Sequence, residues 1–69
     1  MADLICGISG KVQEINIKVG DTLTEDDEAI IIEAMKMETV VYGESGTVKE
    51  IFINVGDTVE ENQVLATVE

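Results

Sequence analysis

The chain contains an internal repeat. Residues 9–33 and 45–69 align without a gap at an offset of 36 residues, and 12 of the 25 positions are identical. The longest identical run is Val-Gly-Asp-Thr, at residues 19–22 and 55–58. Two copies are too few for a solenoid, which needs three or more repeats to bury a continuous core. We therefore expect two halves that complete one core between them, related by an approximate two-fold axis.

Each repeat has the side-chain pattern of β-strands. Aliphatic residues alternate in residues 15–19 and 51–55, the period of a strand with one buried face. The preceding valines, Val12 and Val48, break this alternation at the same place in both copies, which predicts a β-bulge there. The alternating runs end in Gly-Asp, a pair typical of turns.

A second strand is expected at residues 28–34 and again at residues 63–68. The first of these is nearly continuously aliphatic, which predicts burial on both faces. Only Tyr42 and Phe52 are aromatic, and the chain has no proline and no convincing helical stretch. The 69 residues therefore predict one all-β domain, a flattened antiparallel barrel or sandwich of seven or eight short strands in two quasi-symmetric halves.

The charge balance narrows the possible partners. Fifteen acidic residues face four lysines, with no arginine or histidine, for a net charge of -11. Such a chain is a poor ligand for nucleic acid and for an anionic membrane surface, and we expect neither contact. The longest aliphatic run, residues 29–32, is too short for a membrane span. Cys6 is the only cysteine, so no intramolecular disulfide is possible, and a cytoplasmic location is expected.

No residues suggest a catalytic or metal centre. Ser9 and Ser45 have no histidine to activate them and are predicted to be turn residues. Residues 25–28 are acidic but lack the spacing of a calcium loop, so we predict a solvated turn. Cys6 is predicted to be a small buried hydrophobe.

The segment from Glu33 to Glu38, with the sequence EAMKME, places one amine between two thioether side chains. The first repeat ends at Glu33 and another apolar run begins at Thr39, so residues 34–38 predict a tight hairpin that presents Lys36 to other proteins. Its counterpart in the second repeat would be residue 72, beyond the last residue of the sequence, so we expect one such hairpin. A free lysine is overwhelmingly protonated at neutral pH, and no histidine is present to act as a base. Any acylation of Lys36 therefore requires a partner enzyme.

These residues resemble a known acceptor motif. Ala34-Met35-Lys36-Met37 is similar to the sequence around the modified lysine of biotinyl domains, the biotin carboxyl carrier type of the biotinyl/lipoyl attachment family. The resemblance implies covalent biotin on Lys36, with Glu33, Ala34, Met35 and Met37 around it. It further implies a non-catalytic carrier that a biotin protein ligase modifies, a biotin carboxylase loads, and a carboxyltransferase or decarboxylase unloads.

Two alternatives remain open. Lipoyl carriers share the fold, but their acceptor usually resembles Glu-Thr-Asp-Lys-Ala, and here Met35 and Met37 replace the Asp and the Ala. An interaction domain that is never modified is the other alternative. The chain also departs from many biotinyl domains in having residues 6–10 where a proline-rich hairpin is common, and in lacking room for a protruding thumb between residues 19 and 28.

Overall fold

Eight strands make up two four-stranded antiparallel sheets in a computed structural model that describes residues 2–69. In chain order the strands are β1 Ala2–Ile5, β2 Gly10–Ile15, β3 Thr22–Leu23, β4 Glu28–Ala34, β5 Met37–Tyr42, β6 Gly46–Ile51, β7 Thr58–Val59 and β8 Val64–Val68. One sheet has the order β1-β8-β6-β3 and the other β5-β4-β2-β7. The predicted all-β sandwich is confirmed. Within residues 2–69, no helix has the length and apolar character needed to cross a membrane.

The two sheets are exchanged by an approximate two-fold axis. Strands β2, β3 and β4 of the first repeat correspond to β6, β7 and β8 of the second, and β1 corresponds to β5. Hydrogen bonds between the halves repeat in the same way: Gly20 N–H donates to Val48 O at 2.9 Å, and Gly56 N–H donates to Val12 O at 2.9 Å. The expectation of two halves completing one structure is confirmed.

The core lies between the sheets and is aliphatic, as the composition predicts. Its largest fully buried side chains are Ile30, Ile32, Leu65, Val12, Val48, Val59, Val68 and Cys6. Burial of residues 29–32 on β4 is continuous, and it includes Ile31 at 8% exposure, which lies on the opposite face of the strand from Ile30 and Ile32. The predicted bulges are present, since the β2–β4 register shifts between Val12 and Glu14 and the β6–β8 register shifts at the equivalent place.

The alternating strands predicted at residues 15–19 and 51–55 are wrong beyond their first residue. Strands β2 and β6 end at Ile15 and Ile51, and Val19 and Val55 are each 63% exposed. The reason is local. Asp21 Oδ2 accepts a hydrogen bond from Lys18 N–H at 2.9 Å, and the same bond forms in the second repeat. Such side-chain bonds to the backbone replace the ladder of a continued strand.

The connection at residues 6–10 does not join two strands that pair with each other. Strand β1 pairs with β8, whereas β2 pairs with β4 and β7. This connection therefore crosses from one sheet to the other. Cys6 at its start is fully buried, as predicted.

Candidate attachment site at the β4–β5 hairpin

Lys36 lies in the turn that joins β4 to β5. The strands pair up to Ala34 opposite Met37, which leaves Met35 and Lys36 as a two-residue loop. Both residues have positive φ, 54° for Met35 and 64° for Lys36. Positive φ at both central positions is the geometry of a type I′ turn, whose twist matches that of the flanking strands. The predicted hairpin is confirmed, and β5 begins two residues earlier than expected.

The strand before the turn is firmly held. Ile30 and Ile32 of β4 are fully buried, and Ala34 at the end of the strand is only 6% exposed. On the β2 side the chains approach so closely that a Cβ placed on Gly10 would lie 2.5 Å from the backbone oxygen of Glu33. The importance of Gly10 is not visible in the sequence, because only the pairing of β2 with β4 shows what lies next to it. The turn thus follows directly from a buried and closely packed end of β4.

The side chains around Lys36 point into solvent. Met35 is 89% exposed and Met37 is 70% exposed, and Lys36, Glu33 and Glu38 are also exposed. Single exposed apolar side chains are common on protein surfaces, whereas neighbouring ones form a patch of the kind that marks a binding site. The arrangement of two thioethers beside one amine therefore belongs to the surface of the protein and contributes nothing to its core.

Two features of this hairpin are unfavourable for stability. Left-handed backbone at residues other than glycine costs of order 1–3 kcal/mol each, and the turn contains two such residues. In addition, Glu33 lies directly opposite Glu38 in the β4–β5 ladder, and like charges in opposed positions are destabilising. Departures from locally favourable structure concentrate at functional sites, where the rest of the fold compensates for them.

The Lys36 amine forms no salt bridge with any residue in the range 2–69. One ion pair is present among these residues, between Lys49 Nζ and Glu69 Oε2 at 2.9 Å, with both side chains more than half exposed. Its hydrogen bond raises the pKa of Lys49 and lowers the pKa of Glu69. Lys36 is therefore left available to another protein, whereas Lys49 is engaged within its own half.

The other groups considered in the sequence have structural surroundings. Ser9 Oγ accepts a hydrogen bond from Glu61 N–H at 3.3 Å, and Asp27 Oδ2 accepts one from Thr24 N–H at 2.8 Å. Among residues 2–69, no group of three or more His, Cys, Asp or Glu side chains is arranged to hold a metal ion. The acidic segment at residues 25–28 is thus a turn closed by its own aspartate.

Two quasi-symmetric four-stranded sheets with a lysine at the centre of one tight hairpin define a cofactor-attachment domain. The family model described as "Biotin-requiring enzyme" matches residues 1–68. The chain belongs to this family of biotin/lipoyl attachment domains.

Parts of two solved structures share this fold. The chain is 36% identical to part of the urea carboxylase of Kluyveromyces lactis, with a TM-score of 0.89 over 99% of this chain and 6% of that one. A single-chain, multi-domain long-chain acyl-CoA carboxylase shares the fold with a TM-score of 0.87 at 21% identity, over 94% of this chain and 7% of the other. The chain thus spans less than a tenth of each carboxylase. A search of curated protein sequences found no match.

Proposed function

We propose that the chain is a biotin carboxyl carrier and that a biotin protein ligase attaches biotin to the Lys36 amine. The observation that carries the proposal is the β4–β5 turn, which holds Lys36 at φ 64° on a rigid strand pair with no salt bridge to the rest of residues 2–69. An Asn-Gly pair forms the same type I′ turn without strain. The strained Met35-Lys36 pair is therefore better explained by a need for Lys36 at this position than by a need for a surface charge.

Biotin is favoured over lipoate by the side chains beside the amine. Met35 and Met37 are exposed, and they replace the Asp and Ala that are usual beside the acceptor in lipoyl carriers. Unbranched thioethers offer soft, adaptable apolar contact to a partner or to an attached arm. The similar structure at 36% identity is a urea carboxylase, which supports a carboxyl-transfer role.

The proposed role is transport without catalysis. Bound biotin supplies a ring nitrogen that accepts and releases a carboxyl group, and the chemistry takes place in a biotin carboxylase and in a carboxyltransferase or decarboxylase. The residues of this chain supply a rigid base and a long tether, which raises the concentration of the cofactor at both active sites. The carboxyl acceptor is chosen by the second enzyme. We place this exchange in the cytoplasm.

The charge of the chain is proposed to assist its encounters with these enzymes. The net charge is -11, and Glu33 and Glu38 lie beside the acceptor with exposed side chains. A field of one sign accelerates docking on a surface of the opposite sign, and added salt screens it. We expect the rate of biotinylation by the ligase to fall as salt is added.

The test of the site is intact-mass analysis after incubation with a biotin protein ligase, ATP and biotin, followed by peptide mapping. The expected result is one biotin per chain, on Lys36. The Lys36→Arg variant should remain unmodified, and the matched Lys18→Arg variant should be modified as fully as the wild type.

A parallel incubation with a lipoate ligase and lipoate separates the two cofactors. Modification by lipoate alone would replace the biotin proposal with a lipoyl one. Biotin on Lys11, Lys18 or Lys49 instead of Lys36 would refute the site, and no modification by either enzyme would leave an interaction domain as the function.

A further inference from the structure

A shallow groove lies beside the base of the hairpin, between the paired strands β2 and β4 and the turn that precedes β7. Its volume is about 310 Å³. The residues that line it are Lys11, Val12, Gln13, Glu33, Val55 and Gly56. Glu33 lies on β4, three residues before Lys36 in the turn, so the groove and the candidate attachment site are neighbours.

The two-fold axis provides an internal comparison for this groove. The positions equivalent to Gln13 and Glu33 are Lys49 and Glu69 in the second half, and those two side chains are joined by the 2.9 Å ion pair. In the first half a glutamine replaces the lysine, and neither Lys11 nor Glu33 forms a salt bridge within residues 2–69. The Lys11 amine and the Glu33 carboxylate of the first half are therefore both available to bind a ligand.

The apolar side of the groove is also preformed. Val55 is 63% exposed, and its turn is fixed to β2 by two backbone hydrogen bonds. Gly56 N–H donates to Val12 O at 2.9 Å, and Val12 N–H donates to Asp57 O at 2.8 Å. The valine is thus held at the surface by the fold, in a position where most of its side chain stays exposed.

The distance between the groove and Lys36 suits an arm attached to that lysine. Three residues separate Glu33 from Lys36, so their Cα atoms are at most about 11 Å apart at ~3.8 Å per residue. A biotinyl-lysine side chain has about ten bonds between Cα and the biotin ring, which project to on the order of 13 Å. The arm is long enough to fold back along β4 and place its ring in the groove.

We propose that the groove formed by Lys11, Gln13, Glu33 and Val55 holds the ring of the domain's own biotin when no partner enzyme is bound. This inference rests on the proposed biotinylation of Lys36. The ureido group of biotin has a carbonyl that accepts hydrogen bonds and two N–H groups that donate them. Lys11 and Gln13 supply donors, the Glu33 carboxylate supplies an acceptor, and Val55 offers an apolar surface to the sulfur-containing ring.

The test uses the intact, biotinylated domain, with the modification first verified by mass, and compares its NMR spectrum with that of the unmodified protein. We expect biotinylation to shift the amide resonances of residues 11–13 and 55–56, and to give nuclear Overhauser contacts between biotin ring protons and the Val55 methyl groups. Residues 47–49 and 19–20 form the symmetry-related surface and should not shift.

Matched variants complete the test. Val55→Asp should abolish the shifts in the groove, whereas Val19→Asp, at the equivalent and equally exposed position, should leave them unchanged. The spectrum of each variant also shows whether it is folded. Changes confined to residues 34–38 in a biotinylated protein would overturn the groove and leave the proposed function intact. A protein that the ligase does not modify would overturn both.

Discussion

The left-handed backbone at Lys36 predicts that glycine is more stabilising than alanine at this position. Lys36→Gly and Lys36→Ala remove the same positive charge and the same aliphatic stem, so the two variants differ only in the Cβ atom. With φ at 64°, this Cβ is too close to the following carbonyl oxygen. The difference between the two variants therefore measures the backbone strain of the turn.

The expected difference follows from two opposing terms. A residue with a Cβ costs roughly 1–2 kcal/mol in the left-handed conformation. Glycine loses more conformational freedom on folding, which costs about 0.5–1 kcal/mol relative to alanine. Taking the middle of each range, we expect Lys36→Gly to exceed Lys36→Ala in free energy of unfolding by about 0.75 kcal/mol. For a domain of this size that corresponds to roughly 3–6 °C in Tm.

Urea denaturation and thermal unfolding of both variants measure this difference. The control is the same pair of substitutions at Lys18, another exposed lysine, whose φ is outside the left-handed region. There the order should invert, with Lys18→Ala more stable than Lys18→Gly by roughly 0.5–1 kcal/mol. If Lys36→Gly is no more stable than Lys36→Ala, the turn is not strained and the reasoning from backbone geometry to function fails.

Three further predictions concern the surroundings of the hairpin. Gly10→Ala should destabilise the domain by about 1–3 kcal/mol in urea titrations because the new methyl group meets the β4 backbone, whereas Gly7→Ala, with nothing within 4 Å, should not. Glu38→Gln should raise the free energy of unfolding by roughly 0.2–1 kcal/mol, because it removes a like charge from an opposed pair; no gain would show that solvent already screens the repulsion. Lys49 lowers the pKa of Glu69, so the folded protein binds fewer protons at Glu69 than the unfolded chain does. The ion pair's contribution to the free energy of unfolding is therefore complete above roughly pH 4.3, and it is lost as the pH falls through the Glu69 pKa of the folded protein. Lys49→Met should raise the Glu69 pKa in an NMR titration and remove this pH dependence, and an unchanged titration would contradict the ion pair.

The sequence predicts the repeat-based architecture well because the signals are local and occur twice. The valines at positions 12 and 48 break the alternation at equivalent places, and both bulges are present. The continuous aliphatic run of β4 indicates a strand buried on both faces, and residues 29–32 are all buried. Agreement between the two copies supports the bulge prediction.

The strand predictions fail where a polar side chain bonds the backbone within an apolar alternating segment. Val19 and Val55 continue the alternation, but the aspartates two residues later bond the backbone and end the strand before it reaches them. Periodicity records which side chains are apolar, and it does not record where the backbone hydrogen bonds go. The groove beside β2 was not predicted either, since Gln13 and Val55 are brought together only by tertiary structure.

The second half of the molecule shows which features of the first half are required by the fold. Gly10 and Gly46 both approach the backbone of a neighbouring strand, and both halves contain the bulge and the aspartate-closed turn. These features occur twice, so they stabilise the sandwich. The strained two-residue turn, the exposed methionines and the opposed glutamates occur at the β4–β5 hairpin, whereas the equivalent glutamate in the second half, Glu69, is paired with Lys49. Glu33 therefore faces a like charge where its equivalent is paired with a cation, as expected if the residues beside Lys36 serve recognition by other proteins at the expense of stability.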